Sequence, residues 1–454
     1  MRIVTLALAT TALISAAALS ASPPARKAPA AVPSVDGSAW RTLEDLTTEV
    51  GQRMAGSDRE AVARDWAVAR LKALGFSNPR IEPFTIRGFV RGDEAARLTA
   101  PYPQKLAITA LGNSVPTPPG GLEAELIYFP TLDALKAAPA GSLAGKIAFI
   151  DHAMKANQDG SGYGPFGNVR RQGPKIAAQK GAIAAVIRSA GTDMHRNPHT
   201  GGTGFGDVTP IPAGAVSLPD AEQVARIAAK GKPMHLTLTL TGHPQDDMPS
   251  GNVLAELPGR DPALPPVLLA CHLDSWDLGT GAIDDAAGCA IITAAALRTQ
   301  AGGKPLRTIR VLWAGSEEIG VFGGANYGKV HAAEPHALAM ESDFGADRVW
   351  ALRTSFAQTN KPLHARIVAA LAPLGIVEKG GDVEGGADIG AIVTARKVPV
   401  IDLLQDGTRY FDLHHTPDDT LDKVDPVQLE QNVAAWAAVL GIVANEPGTL
   451  DAGG

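Results

Sequence analysis

Apolar residues change their spacing along this chain, and the changes divide it. From 43 to 74, Val50, Met54, Ala61, Ala63, Trp66 and Leu71 recur at helical spacing until Gly75, which predicts one helix. Positions 80–88 then read as a strand. Between 111 and 242 the pattern shortens to strand-like runs at 124–129, 146–150, 184–188 and 235–240, with short helical patterns near 175–180 and 221–230. The segment 160–206 is dense in glycine at both ends. Its run Gly201-Gly-Thr-Gly-Phe-Gly206 fits neither a dinucleotide-binding nor a phosphate-loop pattern and reads as a flexible surface loop.

After Ser250 near-continuous apolar runs at 253–257, 267–271, 309–314, 337–341 and 398–404 alternate with helical stretches at 286–297, 325–330, 361–371 and 426–444. Strands that are apolar on both sides are buried on both faces. The prediction is therefore an α/β fold, a three-layer α/β/α domain around a mostly parallel sheet, carrying a smaller inserted α+β, strand-rich unit. The boundaries read as 22–110 for the first segment of the main domain (22–35 a flexible leader), 111–242 for the insertion, 243–446 for the second segment, and 447–454 for a flexible tail.

Residues 1–21 stand apart. Arg2 precedes an apolar run to about Leu19 and then Ser20-Ala21-Ser22-Pro23-Pro24, the plan of a secretory signal peptide. The expectation is an exported protein, periplasmic or secreted, with no stable membrane anchor once the signal is removed. No cysteine lies near the cleavage region to take a lipid. The 454 residues carry a net charge of −6 with no basic block, which argues against nucleic acid as a partner. Both cysteines, Cys271 and Cys289, sit in apolar runs. They read as buried small hydrophobes rather than a bridge, although an oxidising compartment leaves the bridge open.

The chemistry is concentrated between 272 and 420. His272 ends an apolar run and is followed by Asp284-Asp285 across a glycine-containing loop; Glu317-Glu318, Asp343 and the pair His414-His415 come later. His272, Glu317 and Asp343 each follow a predicted strand at its carboxyl end, where sites form in open α/β sheets. Taken singly, each is an ordinary polar residue or cap. Together, imidazoles and carboxylates make a ligand set for divalent metal: His272, Asp284, Glu318, Asp343 and His415. Three carboxylates against two divalent ions leave one unit of positive charge, which a bridging hydroxide neutralises. Two ions about 3.5–4 Å apart can hold a nucleophile and polarise a carbonyl. Asp284 is the natural bridge. Asp274 is placed to accept the second ring N–H of His272. Glu317, beside Glu318, is the candidate general base.

These segments are similar to those of the M28 metallopeptidases, co-catalytic dizinc exopeptidases, and most of all to their carboxypeptidase Q branch. The resemblance rests on His272-Leu-Asp-Ser-Trp-Asp277 with Gly281-Ala-Ile-Asp-Asp285, Gly315-Ser-Glu-Glu-Ile-Gly320 with Phe322-Gly-Gly324, Glu341-Ser-Asp343, Gly385-Gly-Ala-Asp-Ile389 and His414-His-Thr-Pro-Asp-Asp-Thr420. It implies two Zn²⁺ per chain, one held by His272, Asp284 and Asp343 and the other by Asp284, Glu318 and His415. It selects His415 over His414 because the ligand directly precedes Thr416. It also implies a cis Asp284–Asp285 peptide and a protease-associated character for the insertion. Ala286-Ala287 departs from the glycines this branch often has.

The function expected is an exopeptidase for short peptides or dipeptides, in which a metal-bridging hydroxide attacks with Glu317 as base. The alternatives are a single-zinc glutaminyl cyclase-like acyltransferase and a non-catalytic receptor or binding module on the same fold. The complete ligand set argues against both. Which peptide end is read, and whether the chain forms a homodimer, stay open.

Overall fold

A computed structural model describes residues 37–450. The expected signal peptide, the leader to Val35 and the last four residues of the tail lie outside them. Among the described residues, no helix is long and apolar enough to cross a membrane.

The central sheet has five strands in the order Ser77–Val90, His243–Leu257, Ile309–Ala314, Val267–His272, Leu338–Glu341. The first two ladders are antiparallel and the last two parallel. The sheet is mixed, which corrects the mostly parallel one expected. The reason is topological. The chain leaves the sheet after Ser77–Val90 and returns along His243–Leu257 at the same end, so that long pair must run antiparallel. Only the three strands that lead into His272, Glu317-Glu318 and Asp343 keep the parallel order.

Alternation along these strands splits the core in two. Val253, Ala255, Leu257, Val267, Leu269, Cys271, Ile309, Val311 and Trp313 pack with helices Ser38–Asp45, Ala287–Ala301 and Pro426–Val443. Leu254, Leu268, Ala270, Leu312 and Ala314 face the opposite way, against Tyr327 and Ile392 of helices Phe322–Val330 and Gly390–Arg396. Both faces are covered, which is why these strands are written as continuous apolar runs. Burial of each large aliphatic side chain contributes about 1.5–3 kcal/mol.

The single helix predicted over 43–74 is two. Ser38–Asp45 continues through one wide turn to Val50, the chain breaks, and Asp58–Ala73 begins at Ser57, whose side chain accepts from the Glu60 N–H. Gly51 and Gly56 have φ of 73° and 78° in that break, which helical backbone cannot accommodate.

Eight further strands, all between Glu94 and Leu240, form a second mixed sheet with its own apolar clusters. Three of them, Glu94–Ala100, Gln104–Leu106 and Ile108–Ala110, precede residue 111. The helix expected near 175–180 runs over Tyr163–Gln179. Gly164, Gly167, Gly173 and Pro174 masked it, because all four are poor helix formers. A small sheet of Val377–Glu378, Val349–Thr354 and Ile401–Gln405 completes the fold.

Cys271 and Cys289 form a disulfide, with both residues fully buried. The reading as two free hydrophobes is therefore corrected. Helix Ala287–Ala301 folds back onto strand Val267–His272 and brings the two Cα atoms to 5.1 Å, a separation that periodicity does not reveal.

Candidate metal centre

The candidate residues converge at the carboxyl ends of the three parallel strands. His272 is the last residue of its strand. Its Nδ1 lies 3.0 Å from the main-chain carbonyl of Asp274. A carbonyl can only accept, so Nδ1 carries a proton and Nε2 is turned toward the acids. There it lies 2.9 Å from Asp284 Oδ1 and 3.3 Å from Asp343 Oδ1. The carboxylate of Asp274 stands 3.7 Å from Nδ1 and accepts from the Glu317 and Glu318 N–H groups, 3.1 and 3.3 Å away. Asp274 thus ties the strand end that carries His272 to the turn that carries the two glutamates.

That turn is sharp. Ser316 has φ of 62°, and its hydroxyl is 2.7 Å from that of Ser250. The reversal points Glu318 to one side and Glu317 to the other. Glu318 Oε2 lies 2.9 Å from His415 Nε2, and His415 Nε2 lies 3.1 Å from Asp284 Oδ2. Glu317 groups instead with His272 and Asp343. Asp284 therefore faces two imidazoles at once, one per carboxylate oxygen. Its Oδ2 is buried and makes no hydrogen bond of acceptable geometry. The Asp284–Asp285 peptide is cis.

Of the adjacent histidines, His415 reaches the acids and His414 does not. His415 has φ of 57°, and its Nδ1 sits 3.4 Å from the Thr200 carbonyl and 3.2 Å from Arg170 Nη1. His414 turns away to His199, 3.1 Å between ring nitrogens, in an aromatic cluster with Tyr163 and Phe411. Gly202, Thr203 and Gly204 line the same cleft, and Thr200 and Thr203 are buried. The glycine run is thus a loop that alternates buried Gly201, Thr203 and Phe205 with exposed Gly204 and Gly206. A Cβ at Gly201 would come within 1.9 Å of Arg170 Nη1, so glycine is what allows the chain to pass there.

The electrostatics are those of acids crowded out of water. Burial, then Asp343, holds Glu317 well above the usual carboxylate range. Burial and Asp284 push Glu318 up to about 7, and burial and Asp343 push Glu341 up to about 8. For His272, burial opposes the charged ring, but Asp343, Asp274 and Asp284 together outweigh it and raise its pKa well above normal. Such a site lacks positive charge. Buried carboxylates and imidazoles with an unpartnered Asp284 oxygen between them fit divalent metal by donor type as well as by charge.

Several supporting residues had no role in the sequence reading. Asp419 accepts from the N–H groups of Ile283 and Asp284, at 2.6 and 3.3 Å, and so fixes the backbone of the central acid. Asp285 does the same for His272 and Gly288, at 3.1 and 3.0 Å. Arg53, fully buried in the break between the first two helices, donates to the carbonyls of Gly51, Leu273, Thr280 and Gly281. A basic residue flanked by Gly51 and Gly56 was the available signal. Arg53→Met is expected to leave the Gly51, Leu273 and Thr280 carbonyls without the Arg53 donor, while Gly281 keeps the Ala286 N–H at 3.1 Å, and to cost about 3 kcal/mol. Denaturant unfolding of the two proteins measures that loss, and an unchanged midpoint would overturn the assignment.

Fold and site together are those of a mixed α/β protein with a cluster suited to divalent metal, and its relatives make it a peptidase. Residues 252–440 match the sequence profile of Peptidase family M28. Carboxypeptidase Q of Bos taurus is 33% identical over 413 residues, covering 89% of this chain and 85% of that protein. The chain belongs to family M28, whose members hydrolyse peptide bonds. Among solved structures, a Peptidase M28 precursor from Shewanella amazonensis SB2B superposes with a TM-score of 0.88 at 43% identity, covering 91% of this chain and 95% of that one. BSAP, a zinc aminopeptidase from Bacillus subtilis, shares the fold with a TM-score of 0.65 at 19% identity, covering 90% and 95%.

Proposed function

We propose that this chain is an exported dizinc exopeptidase acting on short peptides or dipeptides. His272, Asp284 and Asp343 would hold one zinc, and Asp284, Glu318 and His415 the other. The observation that carries this reading is the position of Asp284, with Oδ1 turned to His272 at 2.9 Å and Oδ2 to His415 at 3.1 Å. An acid so placed would serve two ions. Zinc bound there would supply Lewis acidity, acidifying water and polarising the scissile carbonyl.

The protein's own groups do the rest. Glu317, with its raised pKa and its place beside His272 and Asp343, takes the proton of the attacking water and passes it to the leaving amine. Asp274, Asp285 and Asp419 hold the backbones that carry His272, Glu317, Glu318 and Asp284. Thr200 and Arg170 hold His415. The segment 111–242, read as a protease-associated insertion, closes one side of a cleft of about 590 Å³ through Tyr163, Arg170, Arg171 and Gly202. That volume suits a short peptide better than a folded protein chain.

The test is a panel of dipeptides and end-blocked variants, assayed with and without chelator alongside metal analysis. Two zinc ions per chain and chelator-sensitive cleavage of unblocked short peptides are expected. One ion per chain, or cleavage unaffected by chelation, would sink the reading.

A further inference from the structure

Arg91 directly follows strand Ser77–Val90, where the chain leaves the central sheet for the second one, and its side chain keeps only 13% of its surface exposed. Its Nε lies 2.8 Å from both carboxylate oxygens of Asp277, and its Nη2 2.7 Å from one of them. Nη1 lies 2.6 Å from Glu94 Oε1, 2.8 Å from Thr109 Oγ1 and 3.2 Å from the Ala110 carbonyl, and Nη2 donates to Thr200 Oγ1 at 3.4 Å. The guanidinium also lies over the rings of Phe89 and Trp276, 5.9 Å from each centre. A planar cation with five donors suits such a set, since it can fork onto one acid and still reach Glu94 and Thr200.

From Arg91 two routes lead to the metal centre, and both end on the same half of it. The first runs through Asp277 to its neighbour Trp276, whose backbone N–H donates to Glu318 Oε1 at 3.2 Å and whose ring lies 5.8 Å from that of His415. Trp276 is itself closely seated, because a Cβ at Gly112 would come within 2.5 Å of its ring. The second runs through Thr200, whose N–H donates to the His415 carbonyl at 3.0 Å and whose own carbonyl lies 3.4 Å from His415 Nδ1. The Thr200 hydroxyl donates in turn to the Ala110 carbonyl, which Arg91 also reaches. Glu318 and His415 are the two proposed ligands that the second zinc does not share. His272, on the first ion, is held instead by the Asp274 carbonyl and the Asp285 carboxylate.

We propose that Arg91 is a positioning residue for the second zinc: it fixes Glu318 and His415, and so sets the affinity of that ion and not of the one on His272 and Asp343. This rests on the dizinc reading above and adds to it a residue, far from the ligands in sequence, on which one ion depends and the other does not. Without Arg91, Asp277 and Glu94 would lose their counter-charge and Thr200 one of its anchors. The loop after His272 and the chain beside His415 would then loosen together. Groups that hold metal ligands in place commonly contribute roughly 10- to 100-fold to affinity.

The experiment measures the stepwise zinc dissociation constants of wild type, R91M and R91K by competition with a chromogenic chelator. R91M should raise one of the two constants by roughly 10- to 100-fold and leave the other unchanged. R91K should fall between, since lysine offers the charge without the fork. E318Q assigns the affected site: it should keep only the ion on His272 and Asp343, and adding R91M to it should not weaken that ion. Excess zinc should restore most of the activity that R91M loses at limiting zinc, which a general loss of packing would not allow. Equal weakening of both ions, weakening of neither, or a further loss when R91M is added to E318Q would overturn the proposal. If R91M does not fold, R91K decides by the same criteria. If wild type binds one ion, the dizinc reading fails by itself, and Arg91 stands only if R91M weakens that ion as E318Q does. No bound ion in wild type overturns both.

Discussion

Replacing Glu317 by Gln is expected to lower kcat by roughly 10²–10⁴-fold while leaving zinc content unchanged. The substitution keeps the shape of the side chain and its place on the turn after strand Ile309–Ala314, where the backbone N–H bonds to Asp274. It removes the one property that the mechanism needs, a carboxylate that can take up and release a proton. Burial and the neighbouring Asp343 and Glu318 raise that carboxylate's pKa, which brings it nearer the working pH of a base that must also give its proton back. Because Glu317 lies close enough to His272 and Asp343 to be a ligand instead, metal analysis accompanies the kinetics. Loss of zinc with loss of rate would make it a ligand. Full zinc with full rate would remove it from the mechanism.

Asp284→Ala has the second large effect. Zinc content is expected to fall from two ions to one or fewer, and kcat/KM by at least roughly 10²–10³-fold, the equivalent of several kcal/mol of lost charge stabilisation. Among the described residues this carboxylate pairs with both imidazoles, His272 at 2.9 Å and His415 at 3.1 Å, so its removal separates the two halves of the centre. The remaining acids pair with different histidines, Glu318 with His415 at 2.9 Å and Asp343 with His272 at 3.3 Å. A variant that keeps two zinc ions and most of its rate would show that Asp284 is not the bridge.

How much of this was readable beforehand differs from element to element. The strands at 267–272 and 309–314 were legible because burial on both faces writes an apolar run, and the residue that ends such a run is placed by the strand itself. The sheet's mixed order was not legible, because nothing in strand Ser77–Val90 states the direction of its neighbour. The disulfide was missed for a related reason. Cys271 and Cys289 pair through the return of a helix, a contact set by packing.

The sequence by itself determined the candidate ligand types and their order, and put His272, Glu317 and Asp343 at strand ends, since these follow from local patterning and donor chemistry. It also placed Asp284 as the candidate bridge. Asp274 apart, tertiary structure decided which partners orient them. Arg53 crosses more than two hundred residues to reach Leu273, Thr200 meets His415, and Asp419 holds the backbone of Asp284. Such contacts join segments distant in the chain through main-chain atoms, and main-chain atoms are the same at every position. No pattern of side chains can announce them.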